Sequence, residues 1–282
     1  MPDVNAAVNH LPPGFQLSQH SLSTYQRCKR RFWLKYVQRQ PWPVAEVEQP
    51  LEYQQHLERG VVFHRWLERA QLGLPVDQQV GAVNDLLLQA WWSAWKSFDY
   101  TLLPNQVLLP ELPLTISLGI YRLYARYDLI ALTPGGRAVI MDWKTLQTVP
   151  PLRTLRTRMQ TRIYCYILAS TGSVLTGGAP VAPEQIEMCY WFANAPDATV
   201  YLPYSRASFE DDRLLLTSLA EEIAASPEEA FTLTDRRELC ASCQYRTLCE
   251  RAAAPEAARA ADWLDEDVDF AIDLERTPSV DW

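Results

Sequence analysis

Residues 120–145 read IYRLYARYDLIALTPGGRAVIMDWKT, and this stretch decides the fold of the protein. The runs Ile120–Leu132 and Ala138–Trp143 are rich in β-branched and aromatic residues, which is typical of strands. Pro-Gly-Gly at 134–136 separates the two runs and predicts a turn between them. The stretch therefore predicts two strands that follow each other closely along the chain.

The elements outside this pair are predicted from the period of their apolar residues. Helical patterns precede it and follow it, and further strand-like runs lie on both sides. These elements are helices at 59–72, 83–98 and 158–169, and strands at 106–118 and 186–193. The coarse order of the middle of the chain is thus helix, three strands, helix, strand.

Two acidic residues and a lysine lie on the two predicted strands. Asp142 and Lys144 end the second strand, and Asp128 lies 14 residues before Asp142. Adjacent strand ends can bring two carboxylates to one hard cation such as Mg²⁺ or Mn²⁺. Such a cation would polarise a phosphoryl oxygen and activate water, and Lys144 could offset developing negative charge. Taken alone, Asp-x-Lys is also typical of an exposed salt bridge.

Other polar residues could complete such a site. His64, on a predicted helix, would add a nitrogen ligand and favour manganese, although a packed helix histidine is the plainer interpretation. Gln160 and Tyr164 are one helical turn apart and therefore share a face. Glu111 could be an outer ligand, but a charge at a strand edge is the favoured interpretation.

A helix is predicted to begin near Ser21 or Ser23 and to place Cys28 on its buried face. Three cations follow at four-residue steps beside that face, and they are interleaved with aromatic residues. Such a pattern suits a phosphate backbone and unstacked bases, or it is simply a solvated cationic face. The three predicted nucleic-acid contacts are Arg27, Arg31 and Lys35.

One cysteine lies near the start of the chain and three lie close together near its end. Cys240, Cys243 and Cys249 form C-x2-C-x5-C, and Cys28 stands 212 residues before the first of them. In a reducing compartment such clusters bind metals more often than they form disulfides. Four thiolates can hold a [4Fe–4S] cluster or a zinc ion, and the wide spacing favours the cluster. The site requires that the fold bring the two ends of the chain together.

The composition is that of a soluble globular protein of 282 residues, with 48% hydrophobic and 21% charged residues. No apolar run is long enough for a membrane span, and no secretory signal pattern is present, so we expect a cytoplasmic protein. Of the net charge of −8, residues 252–282 carry −7, which leaves −1 for the rest. The net charge therefore does not exclude nucleic acid as a partner.

The predicted organisation has four parts. They are an N-terminal helical segment (1–50), a core with a helical insert (51–205), a helical segment with the cysteine knuckle (206–251) and an acidic tail (252–282). The tail mixes acidic residues with aromatic ones, a combination that can imitate a DNA strand in a basic groove. It is therefore expected either to inhibit the protein or dock a partner, or to be solvated and disordered.

Six stretches in this order resemble the RecB-type nucleases of the PD-(D/E)XK superfamily. They are LSTYQRCKRRFWLKY (22–36), GVVFH (60–64), ARYD (125–128), IMDWKT (140–145), QTRIY (160–164) and CASCQYRTLC (240–249). The resemblance is to the iron–sulfur branch, which includes CRISPR-associated RecB-like exonucleases and the AddB nuclease domain. It implies a restriction-endonuclease-like α/β core with a central mixed sheet flanked by helices. The N- and C-terminal helical segments would be joined by a four-cysteine metal clasp.

The resemblance also implies roles for individual residues. The metal ligands would be His64, Asp128, Asp142 and the backbone carbonyl of Trp143, and Lys144 would be the catalytic lysine. Gln160 and Tyr164 would support the site and contact DNA, and the cluster ligands would be Cys28, Cys240, Cys243 and Cys249. Ala125 stands where the family usually has glycine and Lys29 where it usually has proline, and neither change removes a ligand.

The expected function is that of a metal-dependent DNA nuclease, an exonuclease on single-stranded or frayed ends, in repair, recombination or defence. The family implies products with a 5′-phosphate and a 3′-hydroxyl. The chain lacks the G-x4-G-K-[ST] phosphate loop, so any unwinding would come from a helicase partner. The alternatives are a nucleic-acid-binding assembly subunit with a vestigial centre and a CRISPR-adaptation nuclease working beside an integrase.

Overall fold

The structure, a computed structural model, describes residues 10–41, 51–240 and 243–251. Within these ranges the strands form one mixed sheet in the order β1-β3-β4-β5-β6, with β2 paired to β3. The strands are β1 (Gln16–Leu17), β2 (Val107–Leu118), β3 (Tyr121–Leu132), β4 (Ala138–Lys144), β5 (Ile186–Phe192) and β6 (Val200–Pro203). Residues 42–50 of the predicted N-terminal segment and the acidic tail lie outside the described residues.

Helices cover both faces of this sheet. They are α1 (Gln19–Arg27), α2 (Lys29–Phe32), α3 (Leu51–Gln71), α4 (Asp77–Ala82), α5 (Leu86–Lys96), α6 (Leu152–Thr157), α7 (Met159–Leu175) and α8 (Arg206–Ala225). The core on one face is shared with α1, α7 and α8, and the core on the other with α3, α4 and α5. The predicted α/β fold, with a central mixed sheet flanked by helices, is confirmed.

The strand pair predicted from residues 120–145 is present as β3 and β4. The two strands are antiparallel, and their connection is closed by a hydrogen bond from the Thr133 N–H to the Arg137 carbonyl (3.0 Å). Gly135 has φ +72°, a left-handed conformation that glycine adopts without steric cost. The short strands β1 and β6 were missed, since runs of two and four residues carry little periodic signal.

The N-terminal helix differs from its prediction. It begins after Ser18, which exchanges capping hydrogen bonds with Ser21, so Ser21 is the third residue of the helix and not its cap. It ends at Arg27 because Cys28 is extended (φ −158°, ψ 108°). The Cys28 sulfur then accepts a hydrogen bond from the Arg31 N–H (3.4 Å) and caps α2. Cys28 is therefore partly exposed at a break between two helices, not buried on one continuous face.

The helix predicted at 83–98 is shorter in the structure, where α5 covers Leu86–Lys96. Asp85 is extended, and its carboxylate accepts from the N–H groups of Leu87 and Leu88 (both 3.1 Å), so α5 begins after it. Aspartate favours this position because its side chain satisfies N–H groups that the first turn leaves open. Trp91 and Trp95 of α5 are buried against the sheet, as expected for core residues.

The two ends of the described chain lie together. The Arg30 N–H donates to the Thr232 carbonyl (3.0 Å), and the Tyr245 hydroxyl donates to the Gln40 carbonyl (3.3 Å). The N-terminal segment also supplies strand β1 to the central sheet. In the described parts of the chain, no helix has both the length and the apolar character needed to cross a bilayer.

Candidate active site

Strand β4 directs Asp142 and Lys144 to the face of the sheet that α7 covers. Ala138 and Ile140 pack in the core on that face, while Val139 and Met141 pack in the core on the α3 face. Side chains alternate between faces along a strand, so the next even-numbered residues continue toward α7. The Asp142 carboxylate and the Lys144 ammonium are therefore placed by the same alternation that buries the strand.

Asp142, Lys144 and Gln160 form a buried polar group. The Lys144 ammonium lies 2.8 Å from one Asp142 oxygen, and the Gln160 amide donates to the other (2.6 Å). The Gln160 carbonyl oxygen in turn accepts from Lys144 (3.0 Å). Asp142 and Gln160 are each only 2% exposed. Gln160 thus bridges an acceptor and a donor, and only one orientation of its amide satisfies both.

The start of α7 is anchored beside this group. The Thr161 hydroxyl donates to the Leu155 carbonyl (2.6 Å) and shares a second hydrogen bond with the Tyr190 hydroxyl (2.7 Å). The Lys144 ammonium lies 5.8 Å from the centre of the Tyr190 ring, within range of a cation–π contact. These contacts hold Gln160 and Lys144 in one geometry in a largely water-free setting.

A second group contains His64, Glu111 and Asp128. One ligand atom from each lies within 4.8 Å of the others, and all three residues are partly buried. The His64 Nδ1 is 3.6 Å from an Asp128 oxygen. Glu111 also forms an ion pair with Arg126 (2.7 Å). Carboxylate oxygens and an imidazole nitrogen are suitable ligands for Mn²⁺ and, with water, for Mg²⁺.

Strand β3 changes face at Asp128. Tyr127 and Ile130 both pack in the core on the α7 face, although three residues apart they would lie on opposite faces of a regular strand. Leu129 packs on the α3 face. The irregularity directs Asp128 toward His64 on α3, away from the side that buries Asp142.

Strand β2 changes face at the same level. Leu109 and Leu112 both pack against the core on the α7 face. Pro110 pairs with Leu129 and Leu112 with Tyr127, so Glu111 lies opposite Asp128. Glu111 has φ +49°, a left-handed conformation that costs a non-glycine residue about 1 kcal/mol or more. Strain of this kind is concentrated at functional sites, and here it accompanies a candidate ligand.

A single hydrogen bond links the two groups. The Trp143 N–H donates to an Asp128 oxygen (2.8 Å). The β3–β4 ladder ends at the Leu129–Met141 pair, so beyond it the Asp128 side chain takes the place of a strand partner. The structure shows the Trp143 N–H at the site, and its carbonyl as a ligand stays a prediction.

The predicted site residues are thus brought together as two neighbouring groups. His64 joins Asp128, while Asp142 joins Lys144 and Gln160. Tyr164 is 4% exposed, and the centre of its ring lies 4.8 Å from the centre of the Tyr127 ring. Its contact with DNA stays a prediction.

Glu111 is the site residue that the sequence reasoning interpreted differently. The structure places it with His64 and Asp128 and not at an isolated strand edge. A signal for this position was available. Only Gly119 and Ile120 separate β2 from β3, and a two-residue hairpin turn determines which residues face each other. Counting back from that turn places Glu111 opposite Asp128.

The segment after Lys144 is held by two further side chains. Asn194 donates to the carbonyls of Thr145 and Leu146 (both 3.0 Å) and accepts from the Trp91 indole N–H (2.8 Å). His56 of α3 hydrogen-bonds to the Thr145 backbone, and burial lowers the pKa of His56. Helices α3 and α5 thereby position the end of β4.

The four predicted cluster cysteines are free thiols, and three of them have a pKa that the others influence. Burial raises the pKa of Cys240, Cys243 and Cys249, the last to about 11, and Cys28 raises each of these values further through its charge. Cys243 and Cys249 pack with Leu34 of the N-terminal segment. Among the described residues, however, the group with ligand atoms within 4.8 Å is the histidine–carboxylate one. A closed four-sulfur clasp is therefore not shown.

The cations of the N-terminal segment lie near these cysteines and near acidic residues. Lys29 forms an ion pair with Glu222. The charge of Arg31 lowers the pKa of Cys243 against the effect of burial. Arg27 and Arg31 are partly exposed and Lys35 is exposed, and the break at Cys28 removes the regular helical stripe that joined them. Their contact with nucleic acid stays a prediction.

A model of the PD-(D/E)XK nuclease superfamily matches residues 16–250, which is well over half of the 282-residue chain. The protein therefore belongs to the PD-(D/E)XK nuclease superfamily. This match spans both carboxylate groups, Lys144 and all four cysteines.

Two solved structures are similar to this chain. One, of the protein SSO0001, is 17% identical with a TM-score of 0.39, over 83% of this chain and 85% of the other. The other, of a candidate exonuclease from Eubacterium rectale, is 8% identical with a TM-score of 0.46, over 74% and 79%. With both scores under 0.5, neither likeness bears on function. We found no match among curated proteins.

Proposed function

We propose that this protein is a divalent-metal-dependent DNA nuclease that removes nucleotides from single-stranded or frayed ends. Membership of the nuclease superfamily supports the reaction class. The observation that carries the proposal is the pairing of a buried lysine–carboxylate group with a histidine–carboxylate group across the Trp143–Asp128 hydrogen bond. The vestigial-centre alternative is disfavoured because the two acids and the lysine are all present and in contact with plausible partners.

The side chains present fit a hard divalent cation. Two carboxylates and an imidazole lie within 4.8 Å, and a cation among them would relieve the repulsion between Glu111 and Asp128. We assign His64, Asp128 and Glu111 as the ligands of this cation, since one ligand atom from each lies within 4.8 Å of the others. Asp142 and the Trp143 carbonyl, which the resemblance implies as ligands, would join them from the other side of the Trp143–Asp128 hydrogen bond. When bound, the cation supplies Lewis acidity and lowers the pKa of a coordinated water.

The protein's own groups provide position and charge. Lys144, oriented by Gln160, holds a positive charge where negative charge develops on the phosphate during in-line attack by water. Asp142 orients Lys144 by direct contact (2.8 Å). Burial of this group excludes bulk water and so strengthens its electrostatic effect on the transition state. As the attacking water forms its bond to phosphorus, the P–O3′ bond breaks; the water loses its proton to solvent and the leaving 3′-oxygen takes a proton from solvent. The nucleotide on the 3′ side of the cut then carries a 5′-phosphate, and the one on the 5′ side a 3′-hydroxyl.

The test is digestion of single-stranded, duplex and frayed oligonucleotides labelled at either end, with Mn²⁺, Mg²⁺ or chelator. We expect metal-dependent cleavage that Lys144→Ala lowers by about a thousandfold. Lys96→Ala is the matched control, since Lys96 of α5 is an exposed lysine that pairs with Asp77 of α4. Equal activity in wild type and Lys144→Ala, or cleavage in chelator, would refute the proposal. Loss of activity in the Lys96 variant would show a general effect of charge.

We further propose that Cys28, Cys240, Cys243 and Cys249 bind a [4Fe–4S] cluster in the reducing cytoplasm. The geometry supports this, since Cys243 and Cys249 pack together with Leu34 of the N-terminal segment that carries Cys28. Burial raises the pKa of Cys243 and Cys249, so a bound metal, which takes thiolates, would have to displace their protons. Thiolates on one tetrahedral zinc lie about 3.8 Å apart, given Zn–S bonds of about 2.3 Å. A four-iron cluster holds each thiolate on a different iron and so spaces them farther, in keeping with the lack of a tighter group among the described cysteines.

Anaerobic purification tests the cluster. We expect brown protein with broad visible absorbance and about four irons per chain. Stoichiometric zinc with no iron after anaerobic purification would replace the cluster by a zinc site. The control variant Cys165→Ala should keep the absorbance and the iron, since Cys165 is buried in the core away from the four cluster cysteines.

A further inference from the structure

A long acid-free stretch begins at the catalytic lysine. No aspartate or glutamate occurs from residue 143 to residue 183, although the chain is acidic overall. This stretch holds five cations, four of them within ten residues. They are Lys144, Arg153, Arg156, Arg158 and Arg162. A segment of this charge next to a phosphodiester-cleaving site suits a polyanion.

Two of these arginines are presented to solvent. Arg153 and Arg156 lie three residues apart on α6, so they share one face, and both are exposed. In the part of the chain that the structure describes, neither side chain has an ion pair or hydrogen bond. Arg162, by contrast, is engaged by Asp212 (2.9 Å).

Helix α6 is fastened to the active site. Leu155 is fully buried, and its carbonyl accepts the Thr161 hydroxyl (2.6 Å), which also contacts Tyr190 beneath Lys144. Gln160 lies four positions after Arg156, so their Cα atoms are at most about 14 Å apart. A phosphate held by α6 would therefore belong to a nucleotide close to the scissile bond.

Apolar surface accompanies the charge. Val149 and Leu152 are 36% and 48% exposed on the approach to α6. Unpaired bases have apolar faces that such side chains can contact, whereas a duplex keeps those faces stacked inside. The combination of arginines and exposed aliphatic groups favours a single strand over a duplex.

We infer that α6, through Arg153 and Arg156, forms the surface that binds the phosphates of a single-stranded polynucleotide as it enters the active site. This inference rests on the proposed nuclease function and names the path of its substrate. It assigns the strand to α6 and not to the N-terminal segment, whose Lys29 and Arg31 face Glu222 and the cysteines.

The test compares Arg153→Ala/Arg156→Ala with a matched variant on α8, Arg206→Ala/Arg213→Ala, which removes the same charge from exposed arginines elsewhere. Binding of a fluorescent oligo-dT is measured in chelator as a function of salt. For the α6 variant we expect a Kd at least tenfold higher and a log–log salt slope lower by about 1.4, since each lost single-strand phosphate contact contributes about 0.7. The α8 variant should match wild type.

Steady-state kinetics with metal provides a second measurement. We expect the α6 variant to raise KM and to leave kcat nearly unchanged, because a distant phosphate contact binds ground state and transition state alike. The inference would be overturned if the α6 variant kept wild-type affinity and salt slope, or if the α8 variant lost as much affinity. Either result, with metal-dependent cleavage by wild type, would leave the nuclease proposal standing. If wild type failed to cleave but the α6 variant alone lost binding, the nuclease proposal would fail and the binding surface would stand.

Discussion

The two carboxylate groups of the site are built in opposite ways. Asp142, Lys144 and Gln160 are almost fully buried, come from β4 and the start of α7, and satisfy one another. His64, Glu111 and Asp128 are partly exposed, come from α3, β2 and β3, and leave two carboxylates close together. The first group is internally neutralised, whereas the second gains from an added cation. The buried group is suited to fix the position of the lysine charge, and the partly exposed group is suited to bind a cation.

Matched amide variants should separate the two groups most strongly. Asp142→Asn leaves the Lys144 ammonium buried beside a neutral partner, which we expect to cost about 3 kcal/mol of unfolding free energy. Asp128→Asn retains an acceptor for the Trp143 N–H and should cost about 1 kcal/mol. Both should lower cleavage by about a thousandfold. Denaturant unfolding with activity assays checks this, and equal stability losses would contradict the contrast.

Gln160 tests whether the buried group depends on its bridge. Gln160→Leu removes two hydrogen bonds and should destabilise the protein by about 2 kcal/mol and lower kcat by about a hundredfold. Gln160→Glu keeps the acceptor for Lys144 but faces Asp142 with a carboxyl group, so its activity should recover only at lower pH. A pH profile that is the same for both variants would argue against the bridging role.

Glu111 tests the open group, and its backbone offers an internal control. Glu111→Gln and Glu111→Gly both remove the carboxylate, so both should weaken Mn²⁺ binding by about tenfold, measured by titration calorimetry. Only glycine adopts the left-handed backbone at φ +49° without strain. The free energy of unfolding of the glycine variant should therefore be about 1 kcal/mol higher than that of the glutamine variant. Wild-type affinity in both would remove Glu111 from the ligand set.

His56 should give the smallest effect, and it lies on the same helix as His64. Burial lowers the pKa of His56, so the folded state favours the neutral ring. The unfolded chain then binds more protons just below pH 6.5, and stability should fall as the pH drops from there toward the folded pKa. His56→Gln keeps a donor for Thr145 but does not titrate. Its unfolding free energy should therefore decline less than that of wild type over this window.

Much of the site was accessible from local patterns. The strands around residues 120–145 were predicted within about two residues, because alternation and a Pro-Gly-Gly turn are short-range signals. The same alternation placed Asp142 and Lys144 on one face of β4. The grouping of Gln160 with both was implied only by resemblance, since the packing of α7 on the sheet is a long-range contact.

Other features followed from interactions that no local pattern reports. The break at Cys28 interrupts a sequence with good helical period. The turn that follows it is joined to a distant part of the chain by the hydrogen bond from the Arg30 N–H to the Thr232 carbonyl. The coordinated change of face in β2 and β3 also defeats a simple alternation rule. It is this change that separates Asp128 from Asp142 and brings Glu111 beside His64.

The sequence by itself determined which residues are candidates for the chemistry, because residue types and strand periods place two acids and a lysine on neighbouring strands. Only the tertiary structure decided how those groups are divided. Strand register, the left-handed Glu111 and the approach of α3 and α7 from opposite faces are set by contacts between residues far apart in the chain. Such contacts form when apolar faces are buried together, so they depend on the whole fold and not on any one segment.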